Sequence, residues 1–183
     1  MATVRERLLE AAYRCVARDG MGRTTIEDIA REAGVSRPTV YRYFPGGKDA
    51  LFRDVVTWEA GRVVGELTRA IGPHTELADM AEELVSAAAA RIKSHEVLQK
   101  VLQTEPERLL PILVLQTDRL IALLRPFLLL AMQRAGHDTD AESAADYVAR
   151  MLLSVVGSPG CWDLTDRAQV RRFVESQLLG GLQ

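Results

Sequence analysis

The sequence predicts an all-α fold of about nine helices, a small three-helix head ahead of Lys48 followed by a larger helical body. Apolar residues recur at three- and four-residue spacing along nearly the whole chain, and no alternating apolar and polar run argues for a strand. Glycine and proline punctuate these stretches at Gly20, Gly34, Pro45-Gly46-Gly47, Gly72-Pro73, Pro106, Gly136 and Gly157-Ser158-Pro159-Gly160. The composition agrees: 48% of the 183 residues are hydrophobic and only 5% aromatic, as in an aliphatic chain whose helices pack on one another. A chain of this length buries a sizeable core without help from metals or disulfides. The expected division is a head at 1–48 and a body at 49–183.

The first helix is expected to start at a capping box formed by Thr3 and Glu6 and to stop at Gly20, with Val4, Leu8, Ala11, Ala12, Cys15 and Val16 on its apolar side. Thr25 and Asp28 begin a second helix whose buried stripe is Ile26, Ile29, Ala30 and Ala33. Gly34 suits the left-handed backbone of a helix end, and Val35 follows as a core plug. Ser36 is expected to cap the third helix, with Pro38 in the first turn, where its missing N–H costs little. Val40 and Phe44, four apart, then face the core and leave Arg37, Tyr41 and Arg42 toward solvent. A longer helix follows over about 48–71. The apolar pattern restarts over 77–92, and further helices are expected over 96–103, 107–135, 141–156 and 165–179.

The net charge of -2 hides an asymmetry. Residues 1–48 hold nine Lys and Arg against six Asp and Glu, or +3, which leaves -5 for the rest. A basic amino-terminal segment on a mildly acidic body suits a protein of which one end approaches phosphate. Cys15 and Cys161 stand far apart and belong to no CxxC or Cys/His array, so neither a disulfide framework nor a zinc site is predicted, and a reducing cytoplasm fits best. The opening residues lack an apolar run of signal-peptide type. The greasiest segment, 109–132, is broken by Gln116, Asp118, Arg119 and Arg125, so no membrane span is expected.

The most informative stretch is 25–48, TIEDIAREAGVSRPTVYRYFPGGK. It reads as a short helix, a tight turn and a second short helix rich in arginine and tyrosine, suited to lying in a DNA major groove. Thr25, Ile29-Ala30, Ala33-Gly34-Val35-Ser36, Tyr41-Arg42-Tyr43-Phe44, Lys48 and Leu51 follow one another in the order found in the TetR family of bacterial transcriptional regulators, which this head resembles. The resemblance covers roughly the first quarter of the chain. Two departures stand out: Pro38 where many members have glycine, and a Pro45-Gly46-Gly47 connection one residue longer than usual.

The resemblance implies that Thr25, Tyr43 and Lys48 contact phosphates of double-stranded DNA, and that Arg37, Pro38, Thr39 and Tyr41 lie where members touch bases or nearby backbone. Arginine can bridge guanine O6 and N7, while Thr and Pro offer apolar contact to a thymine methyl. Arg42 is divided between a phosphate contact and a solvated charge. For Arg37 the plainer reading is a solvated helix start, and for Tyr41 packing within the head.

In the body, 147–156 is apolar almost all round, as in a helix that packs against more than its own core. With the stripe Val170, Phe173, Val174 and Leu178, it is expected to form a homodimer interface through Tyr147, Met151, Leu152 and Val155. The resemblance also implies a small-molecule effector that releases DNA. Ile112, Gln116, Arg119 and Leu123 fall near one face of the expected 107–135 helix with Phe127 and Leu130 beyond, and Pro126 as a kink that opens space beside it. Trp58, His95, Met132, Met151 and Trp162 are further pocket candidates, for each of which ordinary core or surface is the competing reading. The scarcity of aromatics favours an aliphatic or lipid-like effector.

His74, His95 and His137 show no regular spacing to carboxylates, so no metal or other cofactor is expected. Cys161 reads as an inert loop cysteine before a redox sensor, and Cys15 as core. An all-α enzyme is the rival from another class, but there is no GxSxG, P-loop, HExxH or dinucleotide fingerprint to support it. The remaining alternative is a DNA-bending protein without an effector.

Overall fold

The computed structural model describes residues 2–136 and 140–182. Among these residues the chain forms ten α-helices and no strand: α1 (Val4–Asp19), α2 (Ile26–Ala33), α3 (Arg37–Tyr43), α4 (Gly47–Ile71), α5 (Leu77–Lys93), α6 (Glu96–Thr104), α7 (Pro106–Leu115), α8 (Thr117–Arg134), α9 (Ala141–Gly157) and α10 (Arg167–Phe173). A π-helical turn (Val174–Leu179) and a 3-10 turn (Gly180–Leu182) continue from α10. Contacts divide the chain into two compact units, Met1–Ala60 with Glu96–Thr117 and Gly61–His95 with Asp118–Gln183, so α4 contributes to both.

The first unit is built on the caps that the sequence announces. Thr3 and Glu6 close a capping box ahead of α1, Thr25 and Asp28 close one ahead of α2, and Gly34 takes the left-handed conformation at φ 66° where α2 ends. Leu8, Leu9 and Cys15 of α1 pack with Ile29 of α2, Val40 and Phe44 around α3, and Leu51 of α4, all buried. Each of the larger aliphatic side chains contributes about 1.5–3 kcal/mol by leaving water. Segments α6 and α7 complete this core with Val101 and Leu109. Lys100 of α6 donates to the carbonyls of Ala17 (2.7 Å) and Arg18 (3.2 Å), satisfying orphan acceptors at the end of α1. Cys15 is core, and burial pushes its thiol above the ordinary cysteine value.

The second unit packs Leu67 and Ile71 of α4 with α5, α8, α9 and the α10 segment around an aliphatic core. Arg171 donates to Glu82 (2.8 Å) and Arg167 to Glu83 (3.1 Å), tying α10 to α5, while Asp146 of α9 accepts from Arg125 (3.1 Å) and Arg150 (2.7 Å). Such half-exposed pairs are worth little singly; the buried apolar side chains hold this unit. Trp162 meets Phe173 edge-on at 5.5 Å between ring centroids.

Three expectations are corrected. The helix foreseen over 107–135 is two helices, parted at Gln116, whose backbone (φ -98°, ψ 0°) leaves the helical range. Gln116 is buried and accepts from the Thr57 hydroxyl at 3.5 Å, a tertiary tie that periodicity does not register. This break accounts for the tenth helix. Ser36 stands at the start of α3 but makes no capping bond; its hydroxyl pairs with that of Thr39 at 2.9 Å. Residues beyond Phe173 leave the α form for the π turn, where the sequence predicts a single helix over 165–179.

Candidate functional site

The helix-turn-helix places α3 by its two buried side chains. Val40 and Phe44 sit in the core, 0% and 2% exposed, and this fixes which side of so short a helix is turned out. Arg37, Pro38, Tyr41, Arg42 and Tyr43 are consequently exposed, with Thr39 half-buried. Tyr41 and Tyr43, at 39% and 38%, are among the few large apolar side chains that the molecule leaves to solvent. Exposed aromatic rings beside arginines mark a contact surface more than a solvated face.

The polar groups of this surface already have partners within the chain. Arg37 reaches Glu27 of α2 at 2.6 Å and lies over the Tyr41 ring, 5.5 Å from its centroid, with the Tyr41 hydroxyl 3.4 Å from its Nη2. Arg42 lies over Tyr43 at 5.4 Å. Both stacks orient a planar guanidinium without neutralising it. The Thr25 hydroxyl donates to Asp28 at 2.6 Å and accepts the Asp28 N–H at 3.1 Å, and these bonds with Thr25 hold the Asp28 carboxyl below the ordinary aspartate range. For Thr25 to donate to a phosphate, its hydroxyl proton must leave Asp28.

The longer connection before Lys48 resolves into a tight turn. Gly47 donates to the Phe44 carbonyl at 2.9 Å and takes a left-handed φ of 64°, which puts Lys48 in the first turn of α4. The Lys48 ammonium lies over Phe52, 5.3 Å from its centroid, and donates to the Gly22 carbonyl at 3.2 Å. Burial, and next the nearby Arg108, hold it below the ordinary lysine value. Thr25, Tyr43, Lys48 and the α3 residues are therefore all brought onto the same compact unit.

The pocket candidates are not brought together in the same way. Trp58, Ile112 and Gln116 belong to the first unit, where Trp58 packs edge-on against Tyr13 at 6.2 Å. His95, Arg119, Leu123, Phe127, Met151 and Trp162 belong to the second, with His95 buried and Arg119 exposed. The face that was to unite Ile112 and Gln116 with Arg119 and Leu123 is interrupted at Gln116.

The second unit holds a small aliphatic pocket of about 20 Å³ among Ile71, Met80, Leu84, Leu128, Met132 and Val148. Of the pocket candidates it takes in Met132, and of the interface candidates Leu178; its other walls are apolar core residues. Beside Pro126 runs an open groove of about 450 Å³ with Asp118, Ile121, Arg125, Asp146 and Arg150 on its walls, while α8 itself continues through the proline.

The interface candidates also divide. Leu152, Val155, Val170, Phe173, Val174 and Leu178 are buried in the core of the chain's own second unit, at 5% exposure or less, so a partner could not reach them on this surface. Tyr147 and Met151 stay half-exposed, with the Tyr147 hydroxyl donating to the Gln177 carbonyl at 2.5 Å. An apolar helix signals burial on every side, and here its own unit supplies most of that burial.

Among the described residues no group of three or more His, Cys, Asp or Glu could hold a metal ion, and His137 lies outside them. Cys161 is exposed, and neither cysteine is paired. No described helix is long and apolar enough to cross a membrane.

A family model for bacterial regulatory proteins of the tetR family matches residues 8–55. An uncharacterized HTH-type transcriptional regulator of Mycobacterium bovis is 34% identical over 102 residues, 56% of this chain and 51% of the relative. The chain thus spans about half the length of the first curated relatives it matches. A second, from Mycobacterium tuberculosis, is 28% identical over 171 residues, 92% of this chain and 82% of its own. Among solved structures, the TetR family repressor AlkX from Dietzia sp., implicated in biodegradation of n-alkanes, superposes with a TM-score of 0.72 at 20% identity, covering 98% of this chain and 97% of that one. Bacillus subtilis FadR in complex with stearoyl-CoA gives 0.51 at 18% identity over 92% and 96%.

Proposed function

We propose that the chain, whose residues 8–55 match the family model for bacterial regulatory proteins of the tetR family, is a sequence-specific DNA-binding transcriptional regulator, acting as a homodimeric repressor that a small-molecule effector releases from a palindromic operator. The family is one of regulators rather than enzymes. One observation carries the DNA-binding reading: Val40 and Phe44 anchor α3 so that Arg37, Tyr41, Arg42 and Tyr43 stand together on its exposed side. In this reading Arg37, Pro38, Thr39 and Tyr41 meet base edges or nearby backbone, and Thr25, Tyr43, Lys48 and Arg42 hold phosphates. DNA binding is assigned to 1–48, and effector binding and dimerisation to 49–183.

A single head covers only a few base pairs, so two are needed for useful specificity, related by the twofold axis of a dimer. The interface is assigned to the stripe of exposed Ser143 and Ser154 and half-exposed Tyr147 and Met151 on α9 rather than to the buried residues beneath it. Tyr147 and Met151 supply the apolar anchors that such a surface needs.

An aliphatic or lipid-like effector is supported by the aliphatic core of the second unit, where Phe127, Met132 and Met151 are the adaptable side chains. Among proteins of similar fold, one is implicated in n-alkane biodegradation and one was solved with stearoyl-CoA, while a third was solved with the aromatic ligand resorcinol, so the lean toward an aliphatic effector rests on the core of this chain. A cavity of about 20 Å³ holds no more than a water, so an effector in that core would part its lining side chains.

Selection of bound duplexes from random sequence by the purified chain tests this reading. A palindromic consensus, released in a second step by long-chain acyl compounds, is the expected result; recovery of no consensus would sink it. On that consensus, Lys48→Ala is expected to weaken all sequences nearly alike and to make the slope of log K against log salt less negative by about 0.9, the share of one phosphate. A salt titration by fluorescence anisotropy reads both effects, and an unchanged slope would remove Lys48 from the phosphate contacts.

A further inference from the structure

We propose that Glu105 is a positioning residue for DNA binding: its carboxylate fixes the backbone turn between α1 and α2 on which the phosphate-anchoring Lys48 rests. The proposal rests on the DNA-binding reading above and extends it to a residue far outside the helix-turn-helix.

Glu105 occupies the position that caps α7, yet its side chain makes no capping bond. It accepts instead from the N–H groups of Met21 (2.9 Å) and Gly22 (2.6 Å), residues more than 80 positions earlier in the chain. Bonds from N–H groups to a charged carboxylate are short and roughly twice as strong as neutral ones. Two on successive residues hold the turn at a defined place.

The turn is built to admit the carboxylate. Gly20 has a φ of 85°, and a Cβ there would collide with Glu105 Oε1, while one at Gly22 would stand 2.8 Å from Oε2. Bare backbone at both positions lets the carboxylate sit where it does; a Cβ at either would push it off its present place. On its far side the same turn holds Lys48, since the Gly22 carbonyl accepts from the ammonium at 3.2 Å. Gly22 thus joins Glu105 through its nitrogen to Lys48 through its oxygen. Arg108 of α7 stands 3.4 Å from Glu105 and completes the cluster.

The turn also leads directly into α2. Buried Thr24 donates its hydroxyl to the Gly20 carbonyl at 2.7 Å, and Thr25 then caps the helix. A shift of 20–22 is passed to both Thr25 and Lys48. Glu105 touches no DNA in this arrangement and acts through those two anchors.

The test compares Glu105→Ala, Glu105→Gln, Lys48→Ala and the double variant Glu105→Ala/Lys48→Ala with the unaltered chain, each in full length, against the duplex that the chain itself selects. Anisotropy titrations run across a range of salt. Glu105→Ala is expected to bind roughly five- to tenfold more weakly, with a salt slope less negative by about 0.9, as in Lys48→Ala. The double variant should show no further change of slope, because Thr25 is uncharged and both substitutions remove the same cationic contact, that of Lys48. Glu105→Gln keeps one acceptor oxygen and should fall between Glu105→Ala and the unaltered chain.

Removing an acidic group near phosphate would by itself tighten binding, so tighter binding by both Glu105 variants would overturn the proposal. So would a weakening accounted for by a smaller active fraction at unchanged slope, which is what a role in folding alone produces. A shallow slope in Lys48→Ala with an unchanged one in Glu105→Ala overturns the role of Glu105 and leaves the DNA-binding reading standing. Unchanged slopes in both overturn the reading of Lys48 beneath it.

Discussion

Phe44→Ala is expected to destabilise the first compact unit by about 3–5 kcal/mol, the range for emptying a fully buried phenylalanine site. Phe44 is 2% exposed, ends α3, and has the Arg5 guanidinium 5.6 Å above its ring. The cavity would lie beneath the helix that carries the exposed Arg37, Tyr41 and Arg42, with Val40 left as its buried anchor. Hydrogen exchange of the α1–α3 amides reads the loss locally, whatever the second unit contributes to global unfolding. Protection within about 1 kcal/mol of the unaltered chain would mean that α3 is held by something other than this ring.

Arg37→Ala is expected to weaken binding to the preferred operator roughly 5- to 150-fold and to relax base choice at one position in each half-site. Two effects add. On the proposed reading the bidentate donor to a guanine is lost, and with it the one positive charge that stands beside Glu27 near the phosphates whichever partner Arg37 holds. Combining Arg37→Ala with Glu27→Gln should recover the second loss and not the first. Competition between operators altered one base pair at a time separates them. An equal loss on every sequence would place Arg37 on the phosphate backbone instead of a base.

The head was legible because its signals are local. Thr3 with Glu6, Thr25 with Asp28, and Gly34 each act within one turn of chain, and the structure places each cap where the sequence does. Val40 and Phe44 declared the buried side of α3 by their spacing alone. What escaped depends on distant partners. Gln116 lies in an unbroken helical pattern, and its burial against Thr57 belongs to the tertiary structure, which that pattern does not carry. Glu105 looks like any helix-start acid until residues 21 and 22 arrive opposite it. In the body, the apolar run over 147–156 stated that α9 is covered, but not that the chain's own second unit covers Leu152 and Val155.

The bond between Arg37 and Glu27 bears on how such a protein would find its site. On the proposed reading, most DNA that the chain meets offers phosphates without the right base edge, and there Thr25, Tyr43 and Lys48 suffice for loose, salt-sensitive contact. The Arg37–Glu27 pair is half-exposed on both sides, so water and phosphates compete with it and parting it on such sequences costs little. A guanine presenting O6 and N7 together offers the freed guanidinium two fixed acceptors. On other sequences Glu27 stays within reach as the partner to which the arginine returns. Recognition on this reading is a local exchange of partners by one side chain, reversible at every base pair that does not fit.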